Sequence, residues 1–367
     1  MSFAGEVSGA GALQTEALWF VGVRRAEVHS GVVGSPGPGE VRVAAEFSGI
    51  SSGTEMLVYR GEVPAGVGLD LPTLEGSFGF PIKYGYALVG RVEALGEGVR
   101  SLRVGDAVFV YHPHQRDLVV PASMAVRLPR ALSGAEGVFF ASTETALNVV
   151  HDAAPRLGEV VVVFGLGVVG LLVGRLLALS GAEVVLVDPS GLRRGLAARF
   201  MGDTGEGRIV APEKLAGLLA GLADGSGVDI AVEVSGSPEA LRSAIGCVAA
   251  EGTVVVASWY GTKKVSLDLG GHFHRGRVRL KSSQVGSLPP EMSGRWGRDR
   301  RTGTVLRLMP RLGLERLVSH RVALENAPEV YQRLDADDVF REGAGQVVIE
   351  YRSGQGTGVS EEVERDV

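Results

Sequence analysis

The stretch "VVVVFGLGVVGLLVGRLLALSGAEVVLVD", residues 160–188, decides the fold. Its opening valines and phenylalanine read as a strand buried on both faces. Gly165, Leu166, Gly167, Val168, Val169 and Gly170 then spell GxGxxG where strand gives way to helix, and a second apolar strand ends in Asp188, 18 residues after Gly170. A backbone holds a dinucleotide by this arrangement. Gly165 permits the tight turn, Gly167 lets the backbone approach a pyrophosphate, and Gly170 lets helix and strand pack closely. The helix N-terminus supplies free N–H groups and a partial positive charge. Asp188 is placed to accept from the adenosine ribose hydroxyls and to repel a 2′-phosphate, so NAD(H) is favoured over NADP(H). Arg193 and Arg194 follow closely and weigh the other way, as phosphate partners or as charges on a helix face.

Outward from this unit, strands and amphipathic helices alternate from 159 to 285, the pattern of a parallel sheet covered on both faces. Ser235, Ser258 and Ser283 fall at the ends of its later strands, where such sheets bind ligands, and join Thr145 as cofactor candidates. Residues 16–130 read as β-rich, with "EVRVAAEFSGI", "YALVGRVEAL" and "DAVFVY" punctuated by Gly and Pro. A helix opens at Ser133 with Glu136 as its capping-box partner. After 286 the chain reads as a helix over 299–312 and a closing strand, "GQVVIEY". The fold class is therefore α/β, in two domains because 367 residues exceed what one core organises. The expected division is residues 1–146 with 287–367 against residues 147–286. The first dozen residues and 352–367 lack apolar periodicity and are expected to be loose.

The net charge of −5 and the absence of a basic stripe exclude a nucleic-acid partner from the expectations. "RWGRDRR", 295–301, reads as a solvated helix face or an ion-pair partner. With one cysteine, Cys247, the chain has no intramolecular disulfide and no cysteine-rich metal site. The start has no basic n-region, and the longest apolar run is broken by glycines and Arg175, so neither signal peptide nor membrane span is expected. A cytoplasmic location and a small-molecule substrate follow.

A β-rich segment, then a Rossmann unit, then a return to the first segment is a specific order of parts. "FPIKYGYALVGRVEALGEGVRSLRVGDAVFV", 80–110, resembles the medium-chain dehydrogenase/reductase superfamily, whose "P…G…GxV…G…V…GDxV" run builds a GroES-like catalytic domain. The resemblance covers 17–350 and implies a zinc alcohol dehydrogenase-like fold and a homodimer paired through Rossmann sheet edges, here near 252–258. Zinc-dependent members carry a Cys in a "GICG(S/T)D" loop, a His-Glu pair and a third ligand before the Rossmann unit. Here those positions fall on Ser51 or Ser52, on Tyr86 and Ala87, and near Ala141. Neutral Ser, Tyr and Ala do not make a zinc site, so no zinc is expected. Glu55, His112 and His114 stay open as an alternative metal-ligand group, and His272 and His274 form a second pair without an evident third partner. "SGISSGTE" with these losses is similar to the zinc-less branch of bacteriochlorophyllide a dehydrogenase.

Hydride transfer without a metal needs hydrogen-bond donors for the substrate oxygen and a route for its proton. By the resemblance, Thr54 matches a hydroxyl that contacts that oxygen, Ser51 and Ser52 lie beside it, and Tyr86 fills the former ligand pocket. His112 suits a relay because histidine titrates near neutrality. Thr145 matches a residue packed on the nicotinamide. Beside it Glu144 is open to three roles: substrate binding, general base, or partner of an arginine. The expected activity is zinc-independent, NAD(H)-dependent oxidation of a secondary alcohol or reduction of a ketone. An enoyl or quinone reductase and a non-catalytic NAD(H)-binding protein are the alternatives.

Overall fold

The computed structural model describes residues 12–69, 76–202, 208–222 and 226–351. The expectations for the first eleven residues and for 352–367 lie outside them. The chain opens with the hairpin β1 (Leu13–Gly22) and β2 (Arg25–Val33), then β3 (Glu40–Ile50) and the short α1 (Thr54–Tyr59). β4 (Leu88–Leu95), β5 (Ala107–Val110), β6 (Asp117–Pro121) and β7 (Ala125–Arg127) follow. Two strands from the far end, β14 (Val318–Ala323) and β15 (Gln346–Glu350), complete a seven-stranded sheet in the order β14-β15-β3-β4-β5-β7, with β6 paired to β3. Val41, Val43, Leu88, Val108 and Val110 point into one apolar core, which Tyr331 and Leu334 close from a later helix.

The transition to the second unit runs through α2 (Gly134–Gly137) and α3 (Phe140–Ala153). Ser133 and Glu136 form the expected capping box, each side chain bonded to the other's backbone N–H. Then come β8 (Val160–Phe164), α4 (Val168–Leu179), β9 (Glu183–Val187), α5 (Gly191–Met201), β10 (Ile209–Val210) and α6 (Pro212–Leu222). β11 (Val228–Glu233), α7 (Pro238–Cys247), β12 (Val248–Val256) and β13 (Arg279–Ser282) finish the alternation. The sheet is six-stranded in the order β10-β9-β8-β11-β12-β13, and every pairing is parallel. Its helices cover both faces. Val161 and Val163 of β8 pack toward α4 and α5, while Val160, Val162 and Phe164 pack toward α6 and α7. Side chains alternate across a strand, so an all-apolar strand needs such cover on both sides.

This order corrects one expectation. Residues 252–258 are not a sheet edge: β12 lies between β11 and β13, and the outer strands among the described residues are β10 and β13. The last helices are α8 (Arg298–Leu308), α9 (Ala327–Ala336) and α10 (Asp338–Gly343). The helix expected over 299–312 gives way to a 3-10 turn at Met309–Arg311, because Pro310 cannot continue it. Val305, Met309 and Leu312 pack in the same cluster as Leu171 and Leu172 of α4. Among the described residues, no helix is long and apolar enough to cross a membrane.

Candidate functional site

The Gly-rich turn has the geometry its sequence demands. Gly165 has φ +105°, and a Cβ there would lie 2.8 Å from the backbone nitrogen of Ser235. A Cβ on Gly170 would lie 1.9 Å from the carbonyl oxygen of Gly165, so only glycine allows this helix to approach its strand. At Gly167 an added Cβ would meet nothing within 4 Å. Gly167 caps α4 without a side-chain hydrogen bond, so the helix's first N–H groups face that open space. Leu166 is buried, and Val168 and Val169 are half-buried beside it. The open cradle over free amides fits a pyrophosphate.

Asp188 is buried at the end of β9. Its Oδ2 accepts from Leu166 N–H at 2.8 Å and its Oδ1 from Ser190 N–H at 2.9 Å. The carboxylate therefore ties the turn to the second strand. The two arginines divide. Arg194 Nη1 donates to the carbonyls of Asp188 and Pro189 at 2.7 and 2.8 Å, which commits it to the backbone. Arg193 Nη1 stands 3.9 Å from Asp188 Oδ2.

At the strand ends the serines are bound into the fold. Fully buried Glu233 accepts at Oε1 from Ser235 N–H (2.7 Å), Ser235 Oγ (2.6 Å) and Gly236 N–H (2.9 Å), and at Oε2 from the Tyr260 phenol (2.9 Å). Ser258 Oγ accepts from Gly236 N–H at 2.8 Å. Ser283 Oγ donates to Asp152 Oδ2 at 2.7 Å, and Thr145 Oγ1 to the Ala141 carbonyl at 3.0 Å. The sequence signals Glu233 only as the second carboxylate, after Asp229, in the apolar run "VDIAVEV", and gives no signal for Tyr260.

The second half of the site is the loop 49–61 around α1. Ser51, Thr54 and Tyr86 are half-buried, and Ser52 is exposed. The hydroxyls of Ser51 and Thr54 lie near enough to the Tyr86 phenol to act on its ionisation, which they lower, so three candidates form one cluster. Burial, then the nearby Glu55 carboxylate, push the phenol up to about 12. Tyr86 is thus a neutral donor at neutral pH.

Beneath the cluster lies a buried polar chain. Glu55 Oε1 accepts from Ser51 N–H at 3.1 Å, and Oε2 contacts His114 Nε2 at 3.1 Å and accepts from Tyr331. His114 Nδ1 meets Ser48 Oγ at 2.7 Å, which meets the Tyr351 phenol at 2.8 Å. His112 stands apart from this chain. Its Nδ1 lies 2.9 Å from the Pro113 carbonyl, an oxygen that only accepts, so Nδ1 carries the proton and Nε2 the lone pair. Burial, reinforced by Lys83 and His114, lowers His112 to about 4.

Glu144 takes the third of its three roles. Its carboxylate is buried and pairs with Arg301 Nε at 3.1 Å, while the Tyr111 phenol donates to its other oxygen. Arg301, from "RWGRDRR", also donates to Asn148 Oδ1 at 2.9 Å and to the Val285 carbonyl at 2.6 Å.

The donor set does not fit zinc. The positions that resemble the family's ligands present a hydroxyl cluster and a methyl group, which lack the charge and softness of a zinc site. Glu55 and His114 do meet, but His112 is turned to Pro113 and Tyr331 takes the remaining place. His272 lies in a π-helical turn, Leu269–Phe273, not on an extended segment, and its Nε2 is 2.8 Å from the Val248 carbonyl. Among the described residues, no group of three or more His, Cys, Asp or Glu is placed to hold a metal ion.

Comparisons with known proteins give the chain's family. The family model described as "Zinc-binding dehydrogenase" matches residues 168–297, and "Alcohol dehydrogenase GroES-like domain" matches residues 37–130. The chain is 30% identical over 258 residues to D-guloside 3-dehydrogenase of Escherichia coli K12, covering 68% of this chain and 72% of that protein. It is 30% identical over 192 residues to 2-desacetyl-2-hydroxyethyl bacteriochlorophyllide A dehydrogenase of Cereibacter sphaeroides, covering 48% of this chain and 56% of that one. The crystal structure of 2R,3R-butanediol dehydrogenase from Bacillus subtilis matches the fold with a TM-score of 0.75 at 22% identity, covering 92% of this chain and all of that one.

Proposed function

The chain belongs to the medium-chain dehydrogenase/reductase superfamily as an alcohol dehydrogenase-like oxidoreductase, and from that premise we propose that it oxidises a secondary alcohol or reduces a ketone with NAD(H) and without zinc. The observation that supports the metal-free reading is that Ser51 and Tyr86 stand where the resemblance places metal ligands, with the Thr54 hydroxyl beside them. Bound nicotinamide supplies the hydride acceptor for alcohol oxidation and the hydride donor for ketone reduction. The chain's own residues handle the oxygen and its proton. In reduction the Tyr86 phenol donates a hydrogen bond to the carbonyl oxygen, which takes up negative charge as hydride arrives. In oxidation the alcohol proton leaves through the Ser51 and Thr54 hydroxyls, each of which accepts one proton as it passes on another, and solvent water at the exposed Ser52 edge of the loop takes up the last one.

The cofactor choice rests on Asp188. Its carboxylate at the end of β9 repels a 2′-phosphate, and Arg193 beside it moderates that repulsion. The first amides of α4 hold the pyrophosphate side, and Leu166, bonded to Asp188, fixes the turn beneath them. The proposed division of labour sets residues 1–146 and 287–367 around the substrate against 147–286 around the cofactor. Pairing of β14 and β15 with β3 supports it. A cytoplasmic homodimer completes the proposal, with the edge of β13 as the strand a second copy would extend.

The test is a fluorescence titration of chelator-treated protein with NADH and, separately, NADPH. Binding of NADH at least about tenfold tighter is expected. Preference for NADPH would overturn the Asp188 assignment, and binding of neither would overturn the dehydrogenase reading.

A further inference from the structure

An unbroken row of aromatic side chains joins the cofactor end of the site to the hydroxyl cluster. Trp259 follows Ser258 just past β12, at the carboxyl end of the sheet, where ligands of open α/β sheets bind. Its ring lies 5.9 Å from Phe78, Phe78 lies 5.7 Å from Tyr84, and Tyr84 lies 6.4 Å from Tyr86. Tyr86 is the phenol beside Ser51 and Thr54. The row therefore crosses from the six-stranded unit to the seven-stranded one. Backbone contact fixes the crossing: Thr262 N–H donates to the Glu62 carbonyl at 3.1 Å, and Gly261 sits so close that a Cβ would lie 2.6 Å from the same oxygen. The two outer rings are not core. Trp259 is 37% exposed and Phe78 is half-buried, so both keep surface for a ligand.

We propose that this row is the specificity wall of the site, and that it selects secondary alcohols and ketones whose carbinol carbon bears a flat aryl ring. The inference rests on the alcohol/ketone reading above. No member of the row carries charge at neutral pH, since burial raises the phenols of Tyr84 and Tyr86. A polyol would leave its hydroxyls against rings that cannot pair them, which costs affinity. An aryl ring instead stacks on or edges against Trp259 and Phe78, while its carbinol oxygen reaches Tyr86 at the far end of the row.

The experiment compares NAD-linked oxidation of 1-phenylethanol and 2-butanol by the full chain, and by Trp259→Ala and Phe78→Leu. In the wild type, kcat/KM should favour 1-phenylethanol by roughly 10- to 100-fold, the scale of one buried ring. Each variant should lose about tenfold of that preference, with KM for 1-phenylethanol rising about tenfold more than KM for 2-butanol. Equal use of both alcohols, or variants that slow both alike, would overturn the wall. If neither alcohol is oxidised while NADH still binds, the alcohol/ketone reading fails on its own. Calorimetry on the NADH-loaded protein then decides the wall. Acetophenone binding that exceeds that of 2-butanone and weakens in Trp259→Ala sustains it, and indifference to the ring overturns it.

Discussion

Glu55 Oε2 and His114 Nε2 lie 3.1 Å apart, and neither side chain has any solvent exposure. Tyr331 of α9 donates to the same oxygen, and Ser51 N–H to the other. A carboxylate with this many donors cannot be removed cheaply, because each donor is left buried and unpaired. Glu55→Ala should lower stability by about 3–5 kcal/mol in denaturant unfolding, and Glu55→Gln by less. The Gln variant should also lower kcat, since Glu55 holds the backbone of Ser51. A Gln variant with wild-type turnover would detach the polar chain from the chemistry.

Glu144 and Tyr86 separate structure from catalysis. Glu144 is bound to Arg301 and Tyr111, so Glu144→Gln and Arg301→Met should each cost about 3–5 kcal/mol, and the double variant less than their sum. Tyr86→Phe should leave stability and NADH affinity near wild type and reduce kcat by roughly 10²- to 10⁴-fold. Thermal unfolding and steady-state kinetics on the same preparations distinguish the two patterns. Strict additivity in the double variant would show that the ion pair is not coupled.

The glycines of the turn should fail in different ways. Gly170→Ala places a Cβ 1.9 Å from the Gly165 carbonyl, so the backbone must move, at a cost of about 1–3 kcal/mol. Gly167→Ala meets nothing in the folded chain and should unfold like wild type. It should nonetheless bind NADH at least about tenfold more weakly, because the methyl group occupies the pyrophosphate's approach. Undiminished NADH affinity in Gly167→Ala would place the phosphates elsewhere.

His112 makes stability depend on pH. Its folded pKa is lowered to about 4 from the ordinary 6.5, so between those values the unfolded chain binds the extra proton. Stability is fully present above about 6.5 and is lost as pH falls toward 4, by at most about 3 kcal/mol from this group. His112→Asn should flatten that part of the profile in unfolding titrations from pH 7 to pH 4. The same depressed value means His112 can accept a hydrogen bond at Nε2 at neutral pH but holds no proton there. An unaltered slope in the variant would assign the acid sensitivity to other groups.

What was legible in the sequence was local. GxGxxG and Asp188 are one helix and one strand apart, and Ser133 with Glu136 spans a single helical turn, so spacing alone locates them. The buried networks were not legible, because their partners are remote: Glu144 from Arg301 by 157 positions, Glu55 from Tyr331 by 276, and Ser48 from Tyr351 by 303. Periodicity marks a helix face as apolar or polar but does not tell which charge on it turns inward, as Arg301 does. Strand order was hidden for a similar reason. β12 and β13 follow each other in the chain, and only their pairing shows which one forms the edge.

The central claim is that hydroxyl groups, not a metal, manage the substrate oxygen. Its most direct test is NAD-linked oxidation of 1-phenylethanol and 2-butanol before and after exhaustive dialysis against EDTA, with zinc measured in each sample. Turnover that persists unchanged in the metal-free protein and does not rise on adding zinc is the predicted result. Turnover that disappears on dialysis and returns with zinc would contradict the account.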